Sequence, residues 1–157
     1  MKTFALFLFI FLSFQTAFGQ DTIKYEQAFE NKYQKRIHKP YLHGTYIPKD
    51  IGDVFNSLNL LIDKTGKKKF KNEDELVAVN KLFFSLGRWI IYNWEFYDGS
   101  RLSHYLHKFE LYHPDDMARF IIIEYHRYLR KEPLNAKEVI ELVKGIRAAK
   151  EKKRREK

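Results

Sequence analysis

The sequence predicts an all-α fold: a single bundle-like domain of about five helices behind an N-terminal signal peptide. Two observations carry this. Apolar residues recur at spacings of three and four through most of the chain, which places them on one helical face. No stretch shows the strict alternation of a half-buried strand, and no internal repeat is present.

The chain opens with MKTFALFLFIFLSFQTAFGQ. Lys2 forms a positive n-region, Phe4 to Leu12 an unbroken apolar run, and Ala17-Phe18-Gly19 a small-residue cleavage site, so residues 1–19 read as a secretory signal peptide. A membrane span needs about 20 apolar residues, and Ser13, Gln15 and Thr16 interrupt this one. The product is expected to be exported without a transmembrane span, to the periplasm or the cell exterior. It has no cysteine, so its fold must rest on its core without disulfides.

Residues 20–45 read as a polar lead-in, with weak helical spacing at Ile23, Phe29 and Tyr33. Pro40, Gly44 and Pro48 mark an extended connection, and the helical domain is expected over 46–149. Asp50 is placed to cap a first helix carrying Ile51, Val54, Phe55, Leu58, Leu61 and Ile62. That helix should stop near Thr65-Gly66, leaving Lys67-Lys68-Lys69 as a solvated loop.

Asn72 and Glu75 have the spacing of a capping box for a long helix running to about Asn93. Gly87 inside it weakens the helix by about 1 kcal/mol against alanine, which points to close packing there. Asp98-Gly99 signals a turn, and Ser100 can cap a third helix with Leu102, Tyr105, Leu106 and Phe109. His113-Pro114-Asp115-Asp116 opens a fourth, with proline and aspartates where a helix start favours them. Its apolar residues cover most of the circumference, which marks it as the central helix. Asn135 and Glu138 open the last one, and residues 150–157 form a basic tail.

The net charge is +9, yet residues 50–149 hold sixteen basic against fifteen acidic groups. The excess sits on the two flanks. With no recognition motif in an exported chain, nucleic acid is not an expected partner.

The runs YNWEFYDGSRLSHYL and LYHPDDMARFIIIEYHRYL resemble an uncharacterised bacterial domain family, one of the numbered domains of unknown function. Tyr46 to Asp50 matches its opening. Trp89, Asn93 and Trp94, then Gly99 to Ser103, His113 to Met117 and Tyr125 to Leu129 match its further motifs. Phe96-Tyr97-Asp98 stands where members tend to carry a glycine and a tryptophan. The resemblance covers about 46–146 and implies no activity.

Asp115 and Asp116 with His113 form the most enzyme-like cluster, since paired carboxylates beside an imidazole can do acid–base work. The same residues serve equally as helix caps. His126 lies ten residues beyond Asp116, about 15 Å along one helix, too far to share a small site. Arg101 is expected to pair with Asp115 or Asp116 and lock the third helix to the fourth, or else to clamp an anionic group. His104 and His107 share a face but supply too few ligands for zinc, so no metal and no cofactor are expected. Trp94, Tyr97, Arg101 and His126 are candidate binding residues, with Trp89 assigned to the core.

No serine nucleophile motif, phosphate loop or dinucleotide fingerprint occurs. The reading is an exported monomeric module that binds a protein or an envelope glycan. The alternatives are a small envelope hydrolase using Asp115, Asp116, His113 and Arg101, and an immunity-type protein.

Overall fold

The computed structural model describes residue 22 and residues 24–156. The stretch expected to be a signal peptide, residues 1–19, lies outside them. The chain divides into two units, the second starting at Arg36. Residues 24–36 are helical and form α1, which belongs to the first unit up to Lys35.

The second unit opens with a buried arginine. Arg36 donates Nε to the Gly99 carbonyl at 2.8 Å and Nη2 to Glu95 Oε2 at 3.0 Å. A two-stranded antiparallel hairpin follows, β1 (Tyr41–Leu42) and β2 (Thr45–Tyr46), with Tyr41 opposite Tyr46. Its turn needs positive φ at both central residues, and His43 (48°) and Gly44 (80°) provide it. The all-α expectation is thus corrected to a mostly helical fold with one small sheet. Strands of two residues are too short to show alternation.

Helix α2 spans Ile51–Leu61, and Asp50 caps it by accepting from Asp53 N. The basic stretch after it is not a loop but helix α3, Lys64–Asn72. Asp63 caps α3 by accepting from Gly66 N, and Phe70 is the residue it buries. Burying a phenylalanine contributes about 2 kcal/mol, enough to fix a short helix whose remaining face is lysine in water. Because α3 runs through Asn72, the next helix starts later than the Asn72–Glu75 pair suggests. Helix α4 (Glu75–Leu82) is capped by Asp74 instead, which accepts from Val77 N.

The long helix expected to run to Asn93 is broken by a wide turn. Phe83–Gly87 is π-helical, with the Arg88 N–H reaching back to the Phe83 carbonyl, before α5 (Arg88–Asn93) resumes. Gly87 meets the close packing expected of it. A Cβ there would stand 2.9 Å from Phe83 Cδ2 and 3.4 Å from Ile122 Cδ1.

Helix α6 (Arg101–His107) starts in a capping box in which Ser100 and Ser103 each accept from the other's backbone. Helix α7 (Pro114–Arg130) is the central element, buried without interruption from Asp116 to His126. Helices α2 to α5 and the π turn all pack on it, as does α8 (Ala136–Arg155), capped by Asn135 and continuing through the basic run. Lys131 ends α7 in the left-handed conformation (φ 60°). Tyr125 anchors α7 to α2 by donating to Asn59 Oδ1 at 3.0 Å, and Phe55 stacks on Tyr128 at 4.5 Å.

Candidate functional site

Arg101 is fastened to Ile47, Tyr46 and Asp53, not to the Asp115-Asp116 pair. Its Nε donates to the Ile47 carbonyl at 2.6 Å, and its guanidinium lies 5.0 Å over the Tyr46 ring. Nη2 stands 3.9 Å from Asp53 Oδ2, the oxygen to which the Tyr46 hydroxyl donates at 2.7 Å. That bond to Asp53 is the main cause pushing the Tyr46 phenol above its usual range. The expected lock between α6 and α7 is therefore corrected: Arg101 joins the start of α6 to the hairpin and the start of α2. A helix's first residue projects away from its own axis, and here Ile47 and Asp53 lie in its path.

The aspartates do come together with His113, but as parts of a helix junction. His113 Nδ1 accepts from Asp115 N at 3.2 Å, capping α7. Asp115 Oδ1 lies 3.9 Å from Arg88 of α5, and Asp116 Oδ2 lies 3.3 Å from Arg147 of α8. Asp116 is only 3% exposed. Burial pushes its carboxyl up, against the pull of Arg147 and His113. A cleft of about 240 Å³ that they line mixes both charges, with Arg119, Arg147, Lys150 and Arg154 against Asp115, Asp116 and Glu151. Arg119 is itself held, stacking 3.9 Å over Phe83 and donating to Asn80 Oδ1 at 3.1 Å. Two carboxylates tied to arginines from two neighbouring helices join α5, α7 and α8.

Trp94 is 2% exposed and packs edge-to-face on Trp89 at 5.7 Å, so it offers no face to a ligand. Phe96 is buried too. Tyr97 is exposed, with its ring 6.2 Å from that of Tyr92. The His104 and His107 rings lie 6.3 Å apart. Among the described residues, no group of three or more histidine, cysteine or carboxylate side chains is placed to hold a metal ion.

His126 leads to a site that the sequence did not announce. The ring is 1% exposed, with Nε2 3.2 Å from the Glu73 carbonyl. A carbonyl only accepts, so Nε2 carries the proton. Nδ1 has no hydrogen-bond partner and lies 3.8 Å from Glu75 Oε2. Next to it, Arg127 grips Glu75 through two bonds of 2.9 and 3.0 Å, and reaches Glu138 at 2.8 Å. These two acidic partners raise the affinity of Arg127 for its proton, Glu75 foremost.

One turn earlier, Glu124 is 2% exposed and neither carboxylate oxygen has a hydrogen-bond partner. Burial pushes its pKa up to about 7; Arg127 opposes the shift, while Glu75 and Glu138 add to it. His126, Arg127, Glu75 and Glu138 line an open cleft of about 520 Å³ between α4, α7 and the start of α8. One signal could have found it: Glu124 is a lone acid in the run FIIIEYHRYL, on a helix apolar almost all round.

A further cleft of about 330 Å³ separates α3 from α4, walled by Ile62, Phe70, Ala78, Leu82 and Leu86, with Lys69 at its edge. It exists because Lys64–Asn72 is a helix, where the lysine-rich sequence predicts a solvated loop.

Residues 47–129 match the family described as Domain of unknown function (DUF6794). No curated protein and no solved structure matches the chain.

Proposed function

The chain belongs to that family of unknown function, and we propose that it is an exported helical module that binds a protein partner in the bacterial envelope. The apolar cleft between α3 and α4 carries this reading. Its walls are aliphatic and aromatic, and α3 beside it, KTGKKKFKN, bears five lysines. That combination suits an amphipathic segment that inserts apolar side chains and carries acidic flanks. A glycan is less well served. It needs hydrogen-bonding groups beside an exposed aromatic face, and Trp94 is in the core.

The hydrolase reading has less support. Arg101 stands at Ile47, His113 is spent as a cap, and both aspartates lie against arginines. Export rests on the leader alone, and N-terminal sequencing of the protein recovered outside the cytoplasm should begin at Gln20.

Mature protein should be used to capture partners from an envelope fraction, beside the variants Leu86→Glu and Lys69→Glu, each first checked for helical content. The expected result is a protein retained by the wild type and lost by both variants. Recovery of the same set by all three, or of glycan alone, would overturn the proposal.

A further inference from the structure

The cleft at His126 has a chemistry of its own. Its acidic lining residues are Asp74, Glu75, Glu132 and Glu138, against Arg127 and Arg130. Both arginines are already committed, Arg127 to Glu75 and Glu138, and Arg130 to Glu132. The lining therefore holds two more carboxylates than guanidiniums. A surface cluster of acids would mean little alone, but here two buried side chains point to a missing donor. His126 lines the cleft with Nδ1 unpartnered, and in the neutral ring, with its proton on Nε2, that nitrogen is an acceptor. Glu124 is buried with both oxygens unpartnered, and the charges acting on it are those of three lining residues, Arg127 on its own helix, Glu75 on α4 and Glu138 on α8. Every unsatisfied atom at this place accepts hydrogen bonds, and none donates. Burying such groups without a partner is unfavourable, so a ligand in the cleft that brings a donor to His126 Nδ1 and positive charge to the surroundings of Glu124 would relieve both.

We propose that this cleft binds a primary ammonium group, supplied by a free alkyl amine or by a lysine side chain, with Glu75, Glu138 and His126 Nδ1 as acceptors. An ammonium has three donors and no acceptor, the complement of what the cleft offers. A guanidinium is less suited, because Arg127 already fills the planar, two-bonded position on Glu75. Since the protein as a whole carries +9, general electrostatics repels amines, and any affinity for them must come from a local site. Ionisation of Glu124 adds negative charge beside the cleft and favours the complex, so binding strengthens as pH rises. This site lies apart from the cleft between α3 and α4 and stands or falls independently of the partner proposed there.

Calorimetric titration with 1,4-diaminobutane, with the amide of Nα-acetyl-lysine and with 1,4-butanediol tests the idea at pH 8.0 and 5.5. The expected result is binding of at least one amine, roughly tenfold or more tighter than the diol at pH 8.0 and weakened by a similar factor at pH 5.5. Diamine binding alone identifies a free amine as the source, and lysine-amide binding alone a protein side chain. Glu138→Gln, at an exposed position, and Glu124→Gln, in the interior, should each weaken the amine at pH 8.0 and leave the diol unaffected. Absence of amine binding, equal affinity for the diol, or wild-type affinity in both variants would overturn the proposal.

Discussion

Replacing Glu124 by glutamine should remove a loss of stability that sets in above mildly acid pH. The side chain keeps its shape while losing its charge. The carboxyl titrates at 4.5 when solvated and at about 7 in the fold. A group whose folded pKa lies above its unfolded one holds its proton better in the fold. Stability is thus complete below about pH 4.5 and declines as pH rises through 7. At 1.36 kcal/mol per pKa unit the full ionisation costs about 3 kcal/mol. Relaxation of the surrounding helices makes this an upper value. For a unit of this size it corresponds to a melting shift on the order of 10 °C. Circular-dichroism melts at pH 4.5, 6.0 and 8.0 would read it. The amide brings two donors of its own, so a constant offset between the proteins is expected and the slope is what counts. Asp116, whose carboxyl is also pushed up by burial, contributes equally to both. If wild type and variant lose stability in parallel from pH 4.5 to 8.0, Glu124 is not the source and the reasoning fails.

Gly87→Ala should destabilise by roughly 1–3 kcal/mol, although alanine is the better helix former. The new methyl would stand 2.9 Å from the buried Phe83 ring, and overpacking outweighs the propensity gain; urea melts showing a more stable variant would contradict this. Arg101→Ala should lower stability by about 1–2 kcal/mol through loss of the Ile47 bond. A double-mutant cycle should couple Arg101 to Asp53 and leave it additive with Asp115 and Asp116; coupling to either aspartate would contradict the observed pairing.

What could be read from the sequence was local chemistry. Asp50, Ser100 and Asn135 cap the helices they precede, because a cap depends on residues two or three positions away, and Pro114 opens α7 as expected, though its cap is His113 and not an aspartate. The central place of α7 followed from apolar residues around most of its girth. Helix α3 escaped because its helicity rests on one phenylalanine docking on α7, visible only once α7 is there to receive it. Arg101 was assigned a carboxylate partner by charge, yet its main bond is to the main-chain oxygen of Ile47, 54 residues away, and a carbonyl leaves no trace in residue type. The cleft at His126 draws together Glu75, Arg127 and Glu138 from three helices, and no spacing rule joins them.

The wide turn at Phe83–Gly87 settles a problem of phase. The buried residues Val79, Phe83, Gly87 and Ile91 succeed one another at a constant step of four. On a regular helix each such step overshoots a full turn by about 40°. Three steps would carry Ile91 about 120° around, out of the core that Val79 faces. Absorbing an extra residue in one turn takes back about 100° of that drift. Both ends of the stretch thereby stay aimed at α7, and Trp94, three residues further on, follows Ile91 inward. The same twelve steps wound as a uniform helix would swing its second half, with both tryptophans, toward water. A chain one residue shorter here could close into a uniform helix and keep both ends within about 20° of the core, so the wide turn is what accommodates the extra residue.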